Sequence, residues 1–200
     1  MPKQLTIIIL LLLITFSSFG QEAMRRWRKM NQIRNDKFDL ILPEVMRENN
    51  IDMWIIMNRE GNFDPLYPDM GEGYVGLTGY YVFTDNGGDR IERAALGIRG
   101  YLLEEGGAYD YFGSENELKS YVEERDPQRI GLNISKEIGG ADGLSYSGYQ
   151  ELAEVLGEKY AKRFVSAEKL VSDFRSRRVA SEIGVFIEAT DLSYQIAERA

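Results

Sequence analysis

Chemistry in this chain would have to come from carboxylates, lysines, tyrosines or an oxygen-ligated metal. Its 200 residues include no histidine and no cysteine. That excludes a thiolate nucleophile, a Ser–His or Cys–His pair, a disulfide framework and a Cys/His zinc site. Acids are plentiful between positions 60 and 105: Glu60, Asp64, Asp69, Glu72, Asp85, Asp89, Glu104 and Glu105. A carboxylate-only metal nuclease needs several of them converging on a divalent cation at strand ends. Asp52 and Asp85 border expected strands, yet no spacing gathers four acids together. With 32 acidic against 24 basic residues the net charge is −8, and such a surface repels a nucleic-acid backbone. No nucleic-acid partner is expected.

Three shorter patterns carry possible chemistry. Gly71-Glu72-Gly73-Tyr74-Val75-Gly76 fits G-x-G-x-x-G letter for letter. A dinucleotide site needs a strand entering that loop and a helix leaving it, so that the helix N-terminus meets the pyrophosphate. Here a proline-containing loop enters and a strand leaves, which makes the segment a glycine-rich connection. Asn133-Ile134-Ser135 has the form of an N-glycosylation acceptor. Arg175, Arg177 and Arg178 form a small basic cluster, either the solvated end of a helix or a contact to a partner domain.

The elements that must position these residues begin after an address segment. Lys3, the apolar run Ile7–Ile14 and the small residues Ser18 and Gly20 have the order of a secretory signal peptide over residues 1–20. Leu5–Phe19 makes roughly 22 Å of helix, short of the about 30 Å of a hydrocarbon core. Cleavage and export (periplasmic or secreted) are therefore expected rather than a membrane anchor, with no stable span afterwards. Met24 to about Asn49 is helical in pattern, kinked at Pro43, and Ile51–Met57 reads as a buried strand. Asn58–Thr78 is expected to be irregular. Strands at Gly79–Thr84 and Ile91–Ile98 flank the turn signal Asp85-Asn86-Gly87-Gly88-Asp89, giving a hairpin.

Ser114 with Glu117, and Ser147 with Gln150, have the spacing of capping boxes for two helices, the second ending near Gly157. Ile130–Asn133 and Arg163–Val165 read as short strands, and Ser166 as the cap of a helix reaching Arg175. Ser181–Ala200 is helical with two apolar stripes, Ile183, Phe186, Ile187 and Tyr194 on one side and Val185, Ala189, Leu192 and Ile196 on the other. Two stripes on one helix imply burial from two sides, and no cap or breaker closes it. The expectation is a mixed α/β domain over residues 24–178, followed by a linker and the start of a truncated second domain over 179–200.

One set of segments is more specific. Asn50-Ile51-Asp52-Met53-Trp54-Ile55-Ile56-Met57-Asn58-Arg59-Glu60 runs on to Asp64-Pro65; Ser166-Ala167-Glu168 comes much later, and Ser181-Glu182-Ile183 opens the long helix. In this order the chain resembles the N-terminal, creatinase-like domain of the Xaa-Pro aminopeptidase/prolidase ("pita-bread") metallopeptidases. The resemblance covers Met24 to Ala200. It departs at Arg178-Val179-Ala180-Ser181-Glu182, where a Lys-Thr/Ser-Pro-Glu stretch is the usual form.

The resemblance implies a ribonuclease H-like mixed sheet flanked by helices, ending in the first helix of a missing catalytic domain. It also implies an enzyme, exported here by its expected signal peptide, that hydrolyses peptide bonds next to proline, using two divalent metal ions (Mn, Co or Zn) held by Asp, Asp, His, Glu and Glu in that catalytic half. With no histidine here, no residue of this chain matches that site, so no catalytic residue, metal ligand or cofactor is assigned to it. The implied partners are the C-terminal catalytic domain, short proline-containing peptides and further copies in a homo-oligomer. Arg59, Glu60 and Asp64 would lie near the substrate entrance; the alternative is that they are loop residues that hydrogen-bond their own turn. A stand-alone secreted binding or oligomerisation module without enzymatic activity is the alternative to the accessory domain.

Overall fold

The computed structural model describes residues 2–199, with side chains described from Gly20 onward. A long helix, α1 (Pro2–Leu40), is followed by the short α2 (Leu42–Glu48) and the strand β1 (Met53–Arg59). A single helical turn, α3 (Tyr67–Met70), leads into β2 (Tyr74–Thr84) and β3 (Glu92–Arg99), then α4 (Tyr101–Glu105) and β4 (Tyr111–Gly113). Helices and strands then alternate through α5 (Leu118–Arg125), β5 (Ile130–Leu132), α6 (Tyr146–Ala161), β6 (Phe164–Ser166), α7 (Glu168–Ser176) and α8 (Ala180–Arg199). The strands form one six-stranded sheet in the order β4-β3-β2-β1-β5-β6. β1, β2 and β3 form an antiparallel meander, while β4 runs parallel to β3, β5 to β1 and β6 to β5. The chain is thus a mixed-sheet α/β domain with helices on both faces.

β1 explains why its sequence lacks a polar alternation. Phe38, Leu42, Met46 and Phe174, from α1, α2 and α7, pack on the face that presents Trp54, Ile56, Tyr81 and Phe83. Leu118, Val122, Leu152 and Leu156, from α5 and α6, pack on the face that presents Met53, Ile55, Val82 and Leu96. Successive β1 side chains therefore enter opposite cores, and both parities must be apolar. Each such fully buried side chain contributes about 1.5–3 kcal/mol. Phe38 meets Phe83 edge-on with ring centroids 5.1 Å apart, and Trp54 meets Phe174 edge-on at 5.9 Å, geometries favoured by the ring quadrupole.

Several boundaries differ from the sequence reading. β1 begins at Met53 because the Asp52 carboxylate accepts the Gln128 and Arg129 amides, both at 2.9 Å, beside the start of β5. The stretch 58–78 is not wholly irregular: it holds α3, and β2 starts at Tyr74, reaching through a register shift between Val75 and Tyr80 opposite β3. Gly97 supplies that irregularity with φ +67°, where a Cβ would lie 2.7 Å from the Thr78 carbonyl. α4 and β4 occupy a stretch left unassigned in the sequence. Residues 1–19 of the expected signal segment lie outside the described side chains; among the described residues no helix is long and apolar enough to cross a membrane.

Of the two expected capping boxes, the first is present in full, with Ser114 N–H donating to Glu117 Oε1 at 2.8 Å. The second is displaced. Ser145, in extended conformation, caps α6 by accepting the Gly148 amide at 3.1 Å, whereas Ser147 lies inside the helix. Gly157 interrupts α6 with φ +77° before a last turn to Ala161. Ser166 stands one residue before the N-cap Ala167, and its Oγ still accepts the Glu168 amide at 3.1 Å.

The two serines of α6 separate cleanly by mutation. Ser145→Ala is expected to lower unfolding stability by about 1 kcal/mol, and Ser147→Ala by less than about 0.5 kcal/mol, in urea titrations at neutral pH.

Candidate functional site

Arg59, Glu60 and Asp64 stand where β1 leaves the sheet, at the carboxyl edge that β1 shares with its parallel neighbours β5 and β6. In open α/β sheets this edge is the usual place for a ligand. Arg59-Glu60-Gly61-Asn62 is a tight turn closed by the Asn62 amide on the Arg59 carbonyl at 3.0 Å, with Gly61 taking the positive φ of +71°. Arg59 turns toward α6, where its guanidinium is paired with Glu151 and reaches Ser147 Oγ at 3.3 Å. Glu60 is exposed at the tip of the turn.

Asp64 goes the other way. It is 2 % exposed, and its carboxylate accepts the Leu66 amide at 2.8 Å and the Asn133 side-chain amide at 2.9 Å. Asn133 is 1 % exposed, and its Oδ1 accepts the Trp54 indole N–H at 2.7 Å. The backbone N–H of Asp64 donates to Asn58 Oδ1 at 3.1 Å. Trp54, Asn58, Asp64 and Asn133 thus form one buried polar chain that ties β1 and the turn after it to the residue following β5. Gly143 must be glycine for it: a Cβ there would collide with the Asp64 carboxylate.

The structure therefore separates the three sequence candidates into an exposed Glu60, an Arg59 held by Glu151, and a buried Asp64 that serves its own turn. Asn133, which the sequence offers as a glycosylation acceptor, has its amide committed on both sides within the core. Burial pushes the Asp64 carboxyl above the usual aspartate range, against the Leu66 amide and the Asn133 side chain, which pull it down. Sequence reasoning missed Asn58 and Trp54 as polar partners. The available signal was Asn58 itself, a polar residue directly continuing the apolar run Ile55-Ile56-Met57.

Beside this chain, Ser135, Asp142, Ser166 and Glu168 line a recess of about 450 Å³ at the ends of β5 and β6. Its polar groups are bonded mainly to one another. Ser135 Oγ donates to Glu168 and accepts the Ile138 amide at 2.8 Å, and Asp142 accepts the Ser135 amide at 3.1 Å. Asp52 and Asp85, considered above as strand-end acids, are equally occupied, Asp52 by two backbone amides and Asp85 by Arg47 at 2.7 Å. Among the described residues no group of three or more acids is placed to hold a metal ion. The G-x-G-x-x-G segment, Gly71–Gly76, follows α3 and runs into the first residues of β2, helix first and strand second, the reverse of a dinucleotide loop.

No protein-family model matches the chain, and neither a curated protein nor a solved structure matches it.

The Asp64 carboxyl has a measurable consequence. Because its folded-state pKa is raised, its contribution is fully present below the unfolded aspartate value of about 3.9 and fades as pH rises through the folded value. The stability of the native chain relative to Asp64→Asn is expected to be larger near pH 4 than near pH 7, read from urea midpoints of both proteins. A margin that grows toward pH 7 would show that the two amide donors outweigh burial.

Proposed function

We propose that this chain is the N-terminal accessory domain of an exported, metal-dependent Xaa-Pro aminopeptidase or dipeptidase, catalytically silent by itself. The observation that carries the reading is how the separated segments of the resemblance meet. Asp52–Asp64 forms β1 and its turn, and Ser166-Ala167-Glu168 forms the turn from β6 into α7. β5 lies between them and is tied to both. Asn133 bonds Trp54 and Asp64, while the Ala167 amide donates to the Leu132 carbonyl at 2.8 Å and Ser166 Oγ donates to the Ile134 carbonyl at 2.5 Å. Segments more than one hundred positions apart thus act as one structural unit, which gives a physical reason for their occurring as a set.

The mixed sheet with helices on both faces agrees with the fold the resemblance implies. In this reading Arg59 and Glu60, at the accessible end of β1, face the substrate entrance of the whole enzyme, and Asp64 shapes the turn that presents them. The dinuclear metal site (Mn, Co or Zn), the nucleophilic hydroxide and the choice of peptide belong to the catalytic half. Short proline-containing peptides are then its substrates, and a homo-oligomer its working form.

The purified chain is expected to release no product from Xaa-Pro peptides with Mn²⁺ or Co²⁺ present, and detectable hydrolysis by it would sink the reading. The DNA following the Ala200 codon is expected to continue in frame through Asp, Asp, His, Glu and Glu ligands. A stop codon at that point, with a stable monodisperse product, would favour the stand-alone binding module instead. Amino-terminal sequencing of the exported product is expected to begin at Gln21.

A further inference from the structure

The connection from β2 to β3 runs through Asp85-Asn86-Gly87-Gly88-Asp89, and Asn86-Gly87 is the one Asn-Gly pair of the chain. Both residues of the pair are exposed. Gly87 has φ +79°, and a Cβ placed on it would meet nothing within 4 Å, so neither neighbour nor solvent shell covers its amide nitrogen with protein atoms. In any asparagine the side-chain carbonyl carbon lies one five-membered ring away from the amide nitrogen of the next residue. That nitrogen is least shielded when the next residue is glycine, which has no Cβ and moves freely between backbone regions.

The surroundings of the pair are charged. The Asp85 carboxylate accepts the Gly87 amide at 2.9 Å and is itself held by Arg47 at 2.7 Å, and the same guanidinium donates to the Gly88 carbonyl. The Asn86 side-chain amide donates to Glu92 Oε2 at 2.8 Å, an oxygen that also accepts Arg125 Nε at 2.9 Å. Directly beneath, the β2–β3 ladder ends with Thr84 opposite Glu92. Other asparagines lack this combination. Asn31 and Asn35 lie within α1, where the following amides are fixed in helical geometry, and Asn58 and Asn133 are buried. Asn50 precedes the β-branched Ile51 and Asn62 precedes Phe63, both of which crowd the amide nitrogen.

We propose that Asn86 is a self-modification site: in the folded chain the Gly87 nitrogen closes on the Asn86 side chain and converts the turn to aspartate and isoaspartate. The Gly87 nitrogen gives its proton to solvent base and bonds to Asn86 Cγ. The Cγ–Nδ2 bond breaks, and that nitrogen leaves as ammonia with a proton from water. One water then opens the five-membered imide. Opening at Cγ leaves an ordinary aspartate; opening at the main-chain carbonyl leaves isoaspartate, with the backbone rerouted through the former side chain and one carbon longer. The sum is asparagine plus water giving the acid plus ammonia, with no oxidant or reductant. Either product replaces an amide that donates to Glu92 by a carboxylate that repels it, in a turn where Asp85 and Asp89 are already acidic and Arg125 is the cation left on Glu92. The end of the β2–β3 hairpin is loosened in consequence, and the turn records the age of the chain. The site is independent of the peptidase reading.

Incubation of the intact, folded chain in warm, mildly alkaline buffer, followed by peptide mapping in a mass spectrometer, tests it. The peptide holding Asn86 is expected to be the first to gain about one mass unit. In heavy-oxygen water the label is expected in the same peptide, which separates conversion during incubation from conversion during digestion. Isoaspartate, read by enzymatic methylation, is expected beside aspartate because both come from one imide. Asn86→Gln, whose side chain would have to close a six-membered ring, is expected to lose the modification, and Gly87→Ala to slow it. After incubation the native chain is expected to unfold at lower urea than Asn86→Gln. Circular dichroism checks both variants, and Asn86→Gln, which leaves the backbone unchanged, decides the matter alone if Gly87→Ala does not fold. Conversion of another asparagine ahead of Asn86, conversion of Asn86 only in the urea-unfolded chain, or aspartate without isoaspartate would each overturn the proposal. Equal urea midpoints after incubation would overturn the effect assigned to Glu92.

Discussion

Everything in this domain is arranged around the burial of β1 on both faces. A strand with both faces covered cannot place polar side chains along its length, so its polar groups must sit at its ends and find partners there. At one end Asp52 accepts two amides from the chain entering β5. At the other, Asn58 and the turn through Asp64 are tied to Asn133 as β5 leaves the sheet. The pairing of β1 with β5 is thus clamped at both ends by side chains as well as by the three-residue ladder between them. Trp54 adds an indole donor to Asn133 from inside the core, which fixes the orientation of that amide. A partly satisfied buried network is worse than an apolar core; here the group left over is the Asn58 side-chain nitrogen, which has no partner among the described residues.

What could be read in the sequence follows the strength of local signals. The apolar run Ile51–Met57 was legible because a doubly covered strand shows no alternation, and the hairpin because Asn86-Gly87-Gly88 punctuates it. Ser114 with Glu117 was legible as a capping box because cap and partner lie within one turn. Ser145 was not, because a second serine two residues later offers the same pattern with Gln150, and only the extended backbone at Ser145 distinguishes them. β4 has three residues and pairs in parallel with β3, and no local pattern specifies such a partner. The start of β2 at Tyr74 depends on Gly97, which lies on the other strand of the pair. The candidate site divides the same way. Arg59 and Glu60 could be placed at a strand end from spacing, but the inward turn of Asp64 depends on Asn133, 69 positions away.

The acidic excess of the chain does not translate into an acidic site. Its carboxylates are distributed among partners on other elements: Asp85 with Arg47, Glu92 with Arg125, Asp110 with Arg90, and Glu48 with Arg177. Exposed pairs contribute about 0–1 kcal/mol each, and of these four only Glu92–Arg125 has both side chains less than one-third exposed, so such pairs are not what holds the fold. Their effect is to keep the acids apart. A divalent cation needs several oxygens converging on one point, and acids tied singly to arginines around a sheet cannot supply them without breaking those pairs.

The helix α8 shows how such a domain can carry an unsatisfied surface. Its first turn is fixed to the rest of the chain by polar contacts: Ser181 donates to Asp36, and Glu182 lies between Lys37 and Arg178. These set the direction of the helix without burying it, and among its described residues none is fully buried. Val185 is half-buried, but Ile183, Phe186, Ile187, Leu192, Tyr194 and Ile196 remain exposed. A 20-residue helix spans about 30 Å, and an isolated helix of that length draws only marginal stability from propensity. Packing normally supplies the rest, and here it is concentrated at one end. The anchoring is polar and the free surface apolar, so these contacts fix the direction of α8 while its large apolar side chains stay outside the core. Glu182 is the residue that sets this geometry: it pairs with Arg178 within the helix start and with Lys37 of α1, and beyond it no residue of α8 is fully buried.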